Sequence, residues 1–197
     1  MSRCDLHVLS RHSKRPPEWI LRRLGVPESY TSPEDVYLRA RAAGMDFVTI
    51  TDRDSIEGAL SIAGRPGAFI SAKVTTLFPD GVRAMVLVWD LTEEQFREID
   101  DVRRDIFALR DYLRDRRLAH GVPHPFHGED GRLAVEHFEK LLLLFDVFEV
   151  RNGLRSPLAD EVLAICLASL TPDVMARLAE LHGIAPSGET PWRKSVF

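Results

Sequence analysis

Cysteine is almost missing from this chain: only Cys4 and Cys166 occur in 197 residues, far apart and each in an apolar setting. That usage excludes a disulfide framework and a thiolate zinc cluster, and leaves both as small core side chains. Long apolar runs are missing too. No stretch approaches the roughly 18 apolar residues needed to cross a bilayer, and the N-terminus is polar within a few residues of its start. A cytoplasmic location without a membrane partner is therefore expected. Neither sign of charge dominates, since 26 basic and 30 acidic residues give a net charge of -4 and a pI near 6.0. Nucleic acid is accordingly not expected as a partner. The sequence has no Gly-rich phosphate loop, no internal repeat and no low-complexity run. Ser10 and Ser13 have no adjacent His-Asp pair that would turn either into a nucleophile.

What is present suffices for one well-filled core. With 45% hydrophobic and 28% charged residues, positions 1–197 are expected to form a single domain, with 184–197, rich in Pro and Gly, as a coil tail. Strand-like and helix-like segments alternate. Runs of β-branched and aromatic residues predict strands at about 4–9, 46–51, 69–77, 83–89, 118–122 and 146–150. Ser32 followed by Pro33, Glu34 and Asp35 opens a helix that Gly44 closes, and a short helix follows Ser55. Thr92 with Gln95 forms a capping box ahead of one long apolar stripe, Phe96, Ile99, Val102, Ile106, Leu109 and Leu113. Further helices are expected at about 134–144, 157–169 and 172–182, the last capped by Thr171. Arg11 to Pro17 reads as a basic loop, and Trp19-Ile20-Leu21 with Leu24 as an apolar-periodic stretch.

This alternation argues for an α/β fold with a mainly parallel sheet, closed as a barrel or open and doubly wound. In both architectures chemistry sits at the C-terminal ends of the strands. The polar residues there are Asp5, His7, Asp52, Arg53, Lys73, His124 and Glu149. Asp5 and His7, two apart, would share one face of the first strand and could converge on one ion. His120 and His127 flank the same loop as His124 but lack the i, i+4 helical geometry of a zinc-protease motif, and read as ordinary loop residues.

Asp5-Leu6-His7-Val8, Gly44 to Asp52, Val74-Thr75-Thr76, His124-Pro125 and Phe148 to Gly153 together resemble the polymerase and histidinol phosphatase (PHP) family over nearly the whole chain. The resemblance implies a distorted β/α barrel of seven strands and, in working members, a cluster of two or three divalent metals that hydrolyses phosphoesters. It also implies a phosphorylated small molecule as ligand and a glycosyltransferase-associated protein as partner.

The departures from the family pattern are chemically specific. The opening His-x-His has Leu9 in place of its second histidine, and the Thr-Asp-His motif has Arg53 in place of its histidine. Lys73 stands where a metal-bridging glutamate is usual, and Met85 where a ligand histidine is usual. The closing Ser-Asp-x-His has no counterpart, so the barrel is expected to lack its last strand and to stay open between the sixth strand and the first. Of the usual ligand set, His7 and His124 remain, with Asp5, Asp52 and Glu149 as supporting acids. Each ion of a catalytic cluster needs several lone-pair donors and an open water position. Arg53 and Lys73 instead bring fixed positive charge, which repels a dication. These two cations are expected to stand in for the metals, within salt-bridge reach of Asp5, Asp52 or Glu149. The function expected is a degenerate, non-catalytic PHP-like domain with a scaffold, regulatory or anion-binding role and no cofactor. The alternative is a phosphohydrolase with a single zinc, manganese or iron ion held by His7, Asp52, His124 and Glu149.

Overall fold

The computed structural model describes residues 2–13, 20, 23–127, 132–153 and 156–197. Lys14 to Pro17 of the basic loop, with Trp19 and Leu21 of the apolar stretch beside it, lie outside the described residues. The strands are β1 (Cys4–Asp5), β2 (Phe47–Val48), β3 (Ser71–Leu77), β4 (Arg83–Trp89), β5 (Ala119–Gly121), β6 (Val147–Phe148) and β7 (Ser195–Val196). The helices are α1 (Pro33–Ala42), α2 (Glu57–Leu60), α3 (Glu93–Val102), α4 (Ile106–Asp115), α5 (Val135–Leu144), α6 (Pro157–Ala168) and α7 (Pro172–His182).

The strands follow one another in chain order. β1 pairs with β2 in parallel, β3, β4 and β5 form an antiparallel three-stranded ladder, and β6 pairs with β7 in parallel. Single parallel bridges, Val48 with Ala68, Arg53 with Lys73, and Val122 with Phe148, join these ladders into a β1-to-β7 series. Trp89 at the end of β4 donates its indole N–H to the carbonyl of Leu6, 2.9 Å away. That bond links two strands that are not neighbours, so the sheet curls.

Three expectations need correcting. The sheet is not one mainly parallel ladder: the short Phe78 to Val82 connection between β3 and β4 leaves no chain for a crossover, so these strands must run antiparallel. The tail is not all coil, because Ser195–Val196 supplies a seventh strand on the edge of β6. Phe197 donates its N–H to Phe148 and accepts one from Val150. An exposed sheet edge of unpaired backbone groups is thereby covered. Among the described residues no ladder joins β7 to β1. The long helix after Thr92 is two helices. Asp105 adopts an extended backbone and its carboxylate accepts the N–H of Phe107 at 2.8 Å, capping a new helix. The apolar stripe runs across the break with Ile99, Ile106, Leu109 and Leu113 fully buried, which is why periodicity alone does not reveal it.

The main core lies between the β3–β5 ladder and α3, α4, α5 and α6. Leu141 to Leu144 are all buried, as their uninterrupted run requires, each contributing about 1.5–3 kcal/mol of apolar burial. A smaller cluster of Val36, Tyr37, Val48, Ile50, Ala59 and Ile62 seats α1 and α2 against β2. The two clusters fix the strand ends on which the polar residues sit.

Candidate functional site at the strand ends

Two polar clusters form here. The first gathers around Glu149, the residue following β6. Its Oε1 lies 2.8 Å from His7 Nδ1 and accepts from the Asn152 amide at 3.1 Å, and its Oε2 accepts the backbone N–H of His124 at 2.9 Å. Phe148 is fully buried and Glu149 almost so, which holds the carboxylate in place at the strand end. His124 has a φ of 34°, in the left-handed region that costs a non-glycine residue energy, and this conformation belongs to the turn that aims its N–H at Glu149. The His7 and His124 rings stand 5.6 Å apart, and those of His124 and His127 stand 6.4 Å apart.

Asp5 does not join this cluster as the sequence reading expects. β1 is only two residues long, so the chain has already turned at His7, and the exposed Asp5 carboxylate accepts the His7 backbone N–H at 3.2 Å. The pair forms a turn at a strand end in place of two side chains on one face.

The second cluster forms where the segment after β2 runs beside β3 through the Arg53–Lys73 bridge. Asp52 is fully buried, and its oxygens accept the N–H and the hydroxyl of Ser10 at 2.7 and 2.6 Å. Burial pushes the Asp52 pKa above its usual value, and the two Ser10 bonds oppose that rise only in part. Gly58 makes this packing possible, since a Cβ there would lie 2.2 Å from Asp52 Oδ2 and 2.6 Å from Ser10 Oγ. Arg53 and Lys73 are bridged through their backbones and both side chains are buried.

Among the described residues the acid paired with both cations is Glu28, which no sequence pattern singles out. Its Oε1 lies 3.2 Å from both Arg53 Nη2 and Lys73 Nζ, and its Oε2 accepts the Ser13 hydroxyl at 2.5 Å. These ion pairs correct the expectation that Asp5, Asp52 or Glu149 would take that part, although Lys73 also acts on Asp52 through its charge. Burial works against ionisation of Glu28, but Lys73, Arg53 and Ser13 together outweigh it and hold the carboxyl below its usual pKa. Glu28 sits in an irregular segment with no periodic signal. The one clue was physical: two buried cations need a carboxylate, and the order of residues does not say which.

The retained residues do not fit a metal cluster. Both oxygens of Glu149 and both of Asp52 are engaged by protein donors, and two buried cations stand nearby, Arg53 in the segment after β2 and Lys73 on β3. Met85 of β4 is 4% exposed and packs its sulfur 3.6 Å from the Thr75 hydroxyl, filling its position with an apolar group. Leu9 likewise offers an ion no lone pair. Elsewhere, Asp80, Glu136 and His137 bring potential ligand atoms within 4.8 Å of one another. There His137 Nδ1 accepts the N–H of Ala134 at 3.0 Å at the start of α5, which places the ring proton on Nε2, 2.8 Å from Asp80. The lone pair of that imidazole caps a helix, so ligation would require breaking the cap. His120 is held by the Leu118 carbonyl at 2.7 Å and rests edge-on against Phe145, as an ordinary strand-end residue would be.

No family model matches the sequence, and comparison with curated proteins gives no match. Among solved structures, the fold is similar to that of an amidohydrolase from Chromobacterium violaceum with bound sulfate and no metal. The TM-score is 0.52 at 14% identity, covering 99% of this chain and 88% of that one. A provisionally assigned metal-dependent phosphoesterase from Bifidobacterium adolescentis gives a TM-score of 0.48 at 12% identity, over 93% of this chain and 85% of that one. At such identities the first likeness is one of fold. Among the described residues no single helix is long and apolar enough to cross a membrane, although α6 and α7 together, bent by 99°, pass a test of length and composition.

Proposed function

We propose that this chain is a PHP-like domain that does not hydrolyse phosphoesters, in which Arg53 and Lys73 take the electrostatic place of metal ions and the strand ends recognise anions. The observation that carries this reading is the Glu28 pair of ion contacts, because two fixed cations held by a carboxylate of the protein offer a metal ion no lone pair. The motif resemblance and the likeness of fold to an amidohydrolase support the scaffold. They do not supply the activity, since one fold hosts many functions. The role is regulatory or scaffolding, in one cytoplasmic domain over 1–197. A phosphorylated small molecule is the ligand class, a glycosyltransferase-associated protein is the partner class, and no nucleic acid, membrane or cofactor is required.

A second reading is favoured by the convergence of His7, His124 and Glu149. There the chain is a phosphohydrolase with a single zinc, manganese or iron ion on those residues and Asp52. Hydrolysis of nitrophenyl phosphate with each metal added separates the two. The first reading expects no turnover above a protein-free blank, and metal-dependent turnover abolished by His124→Ala would establish the second.

A further inference from the structure

Among the described residues no backbone ladder joins β7 to β1, yet the ends of β1 and β6 meet at His7 and Glu149. An ionised carboxylate has no proton to give, so the His7 ring donates from Nδ1 to Glu149 Oε1 at 2.8 Å. Other side chains span the same seam inside the curled sheet. Trp89, 7% exposed, donates its indole N–H to the carbonyl of Leu6, the residue before His7, at 2.9 Å. Its ring meets that of Phe197 edge-on, with centroids 5.2 Å apart and planes at 90°. The carbonyl of Phe197 accepts the N–H of Val150, the residue after Glu149, at 3.0 Å. Leu6, Trp89, Phe197 and Val150 form a chain of contacts whose two ends are the backbone neighbours of His7 and Glu149. We propose that Trp89 and Phe197 are positioning residues for the His7–Glu149 pair, setting the separation of the two strand ends that carry it, so that docking of β7 on β6 assembles this part of the polar site. The inference rests on the reading of the strand ends as the functional site, and it holds whether that site recognises an anion or carries an ion.

Three observations support a positioning role. The rings have room made for them by Gly121 of β5. A Cβ there would stand 2.8 Å from Trp89 Cη2 and 3.2 Å from Phe197 Cε1, closer than the separation of about 3.5–4.0 Å at which carbon atoms pack. Aromatic pairs also hold a preferred edge-to-face geometry, so the contact fixes a distance and an angle together. Next, the contact runs in the right direction. Thr51 bonds to Val8 and the Glu149 N–H bonds to the Val122 carbonyl, which ties each strand end to its own neighbour, whereas the Trp89–Phe197 contact reaches from one end to the other. Finally, Phe197 arrives as part of a docked strand. The Lys194 side chain is fully buried and donates to the Phe145 carbonyl at 2.8 Å and to Asp146 at 3.1 Å. The N–H groups of Ser195 and Phe197 bond to the carbonyls of Asp146 and Phe148.

The test reads the hydrogen bond itself, in the full chain, by proton NMR at neutral pH. A ring N–H held by a carboxylate exchanges slowly with water and gives a resolved signal, which His7→Gln assigns by its loss. Phe197→Ala should speed exchange of the His7 signal at least fivefold. Trp89→Phe, which keeps a ring but loses the N–H to Leu6, should do the same. His182 is the control, since its Nε2 lies 2.8 Å from Glu139 and its side chain is 9% exposed, as that of His7 is. Its signal should stay within twofold of wild type. Exchange at His7 within twofold of wild type in the folded variants overturns the proposal, and so does an equal acceleration at His182, which would be general loosening. Should the variants fail to fold or the ring signal escape detection, hydrogen exchange of the wild type across a urea series decides. The His124 amide, held by Glu149, should lose protection no later than the Trp89 indole N–H and the Val150 amide. A His124 amide still protected where the other two have exchanged overturns the proposal. Metal-dependent hydrolysis of nitrophenyl phosphate would defeat the non-hydrolytic reading and leave the positioning intact, whereas unchanged His7 exchange defeats the positioning alone.

Discussion

Around Glu149 the polar groups are one carboxylate, an imidazole, a side-chain amide and a backbone N–H, while around Glu28 they are one carboxylate, a guanidinium, an ammonium and a hydroxyl. Both clusters are built on the same plan, a single acid gathering donors from distant parts of the chain at the ends of strands. They differ in the charge of those donors. The Glu149 cluster includes the His7 imidazole, which can be neutral and can offer a lone pair, so it preserves part of what a metal site needs. The Glu28 cluster uses groups that stay positive and offer no lone pair. The difference sets fixed positive charge at Arg53 and Lys73 apart from the lone-pair donors at the histidines.

Removing each central acid should expose the contrast most strongly. Glu28→Gln removes a carboxylate that pairs with two buried cations, and should cost about 3–5 kcal/mol, as loss of one partner of a buried ion pair does. Urea unfolding measures it, and a cost below about 1 kcal/mol would mean that solvent screens the cluster as it does an exposed pair. Glu149→Gln keeps the shape and an acceptor oxygen but weakens the bonds from His7, Asn152 and the His124 N–H. The expected cost is smaller, about 1–3 kcal/mol. If the second loss exceeded the first, the ranking of the two clusters would be reversed.

Acid titration sharpens the comparison with a still smaller effect. The folded-state pKa of Glu28 is lowered, so the stability it contributes is complete above the ordinary carboxylate value and is lost as pH falls through the folded value. Asp52 runs the other way, because its pKa is raised: ionising it costs stability as pH climbs from the ordinary value through the folded one. The stability gap between wild type and Glu28→Gln should therefore narrow as pH falls below the ordinary carboxylate range, while the Asp52 contribution is common to both proteins and cancels. Chemical denaturation at a series of acidic pH values reads the gap directly. A gap that widened in acid would show that Glu28 is not the stabilised carboxylate.

How much of this was legible beforehand differs between elements for physical reasons. Strands β3 and β4 announce themselves in β-branched and apolar runs, and α7 in its Thr171 cap, Pro172 and the left-handed Gly183 that ends it. β7 carries no such signal. Two residues after a Pro-Trp-Arg-Lys stretch have no alternation to read, and they become a strand only because β6 offers them an edge. The meeting of His7, His124 and Glu149 follows from placing polar residues at strand ends, which is a rule of topology. Asp5 shows the limit of that rule, since a two-residue strand does not carry alternation as far as His7. Glu28 lies outside the rule altogether. It comes from an irregular segment, and its partnership with Arg53 and Lys73 is a tertiary contact over 25 and 45 residues that no local pattern encodes.

The central claim is that fixed positive charge at Arg53 and Lys73 stands in for metal. Its most direct test is elemental analysis of the wild-type protein, incubated with zinc, manganese and iron in turn and then passed through gel filtration. The charge-substituted site predicts well under one ion of each metal per chain. A full equivalent of any of them retained through the column, and lost in His124→Ala, would contradict it.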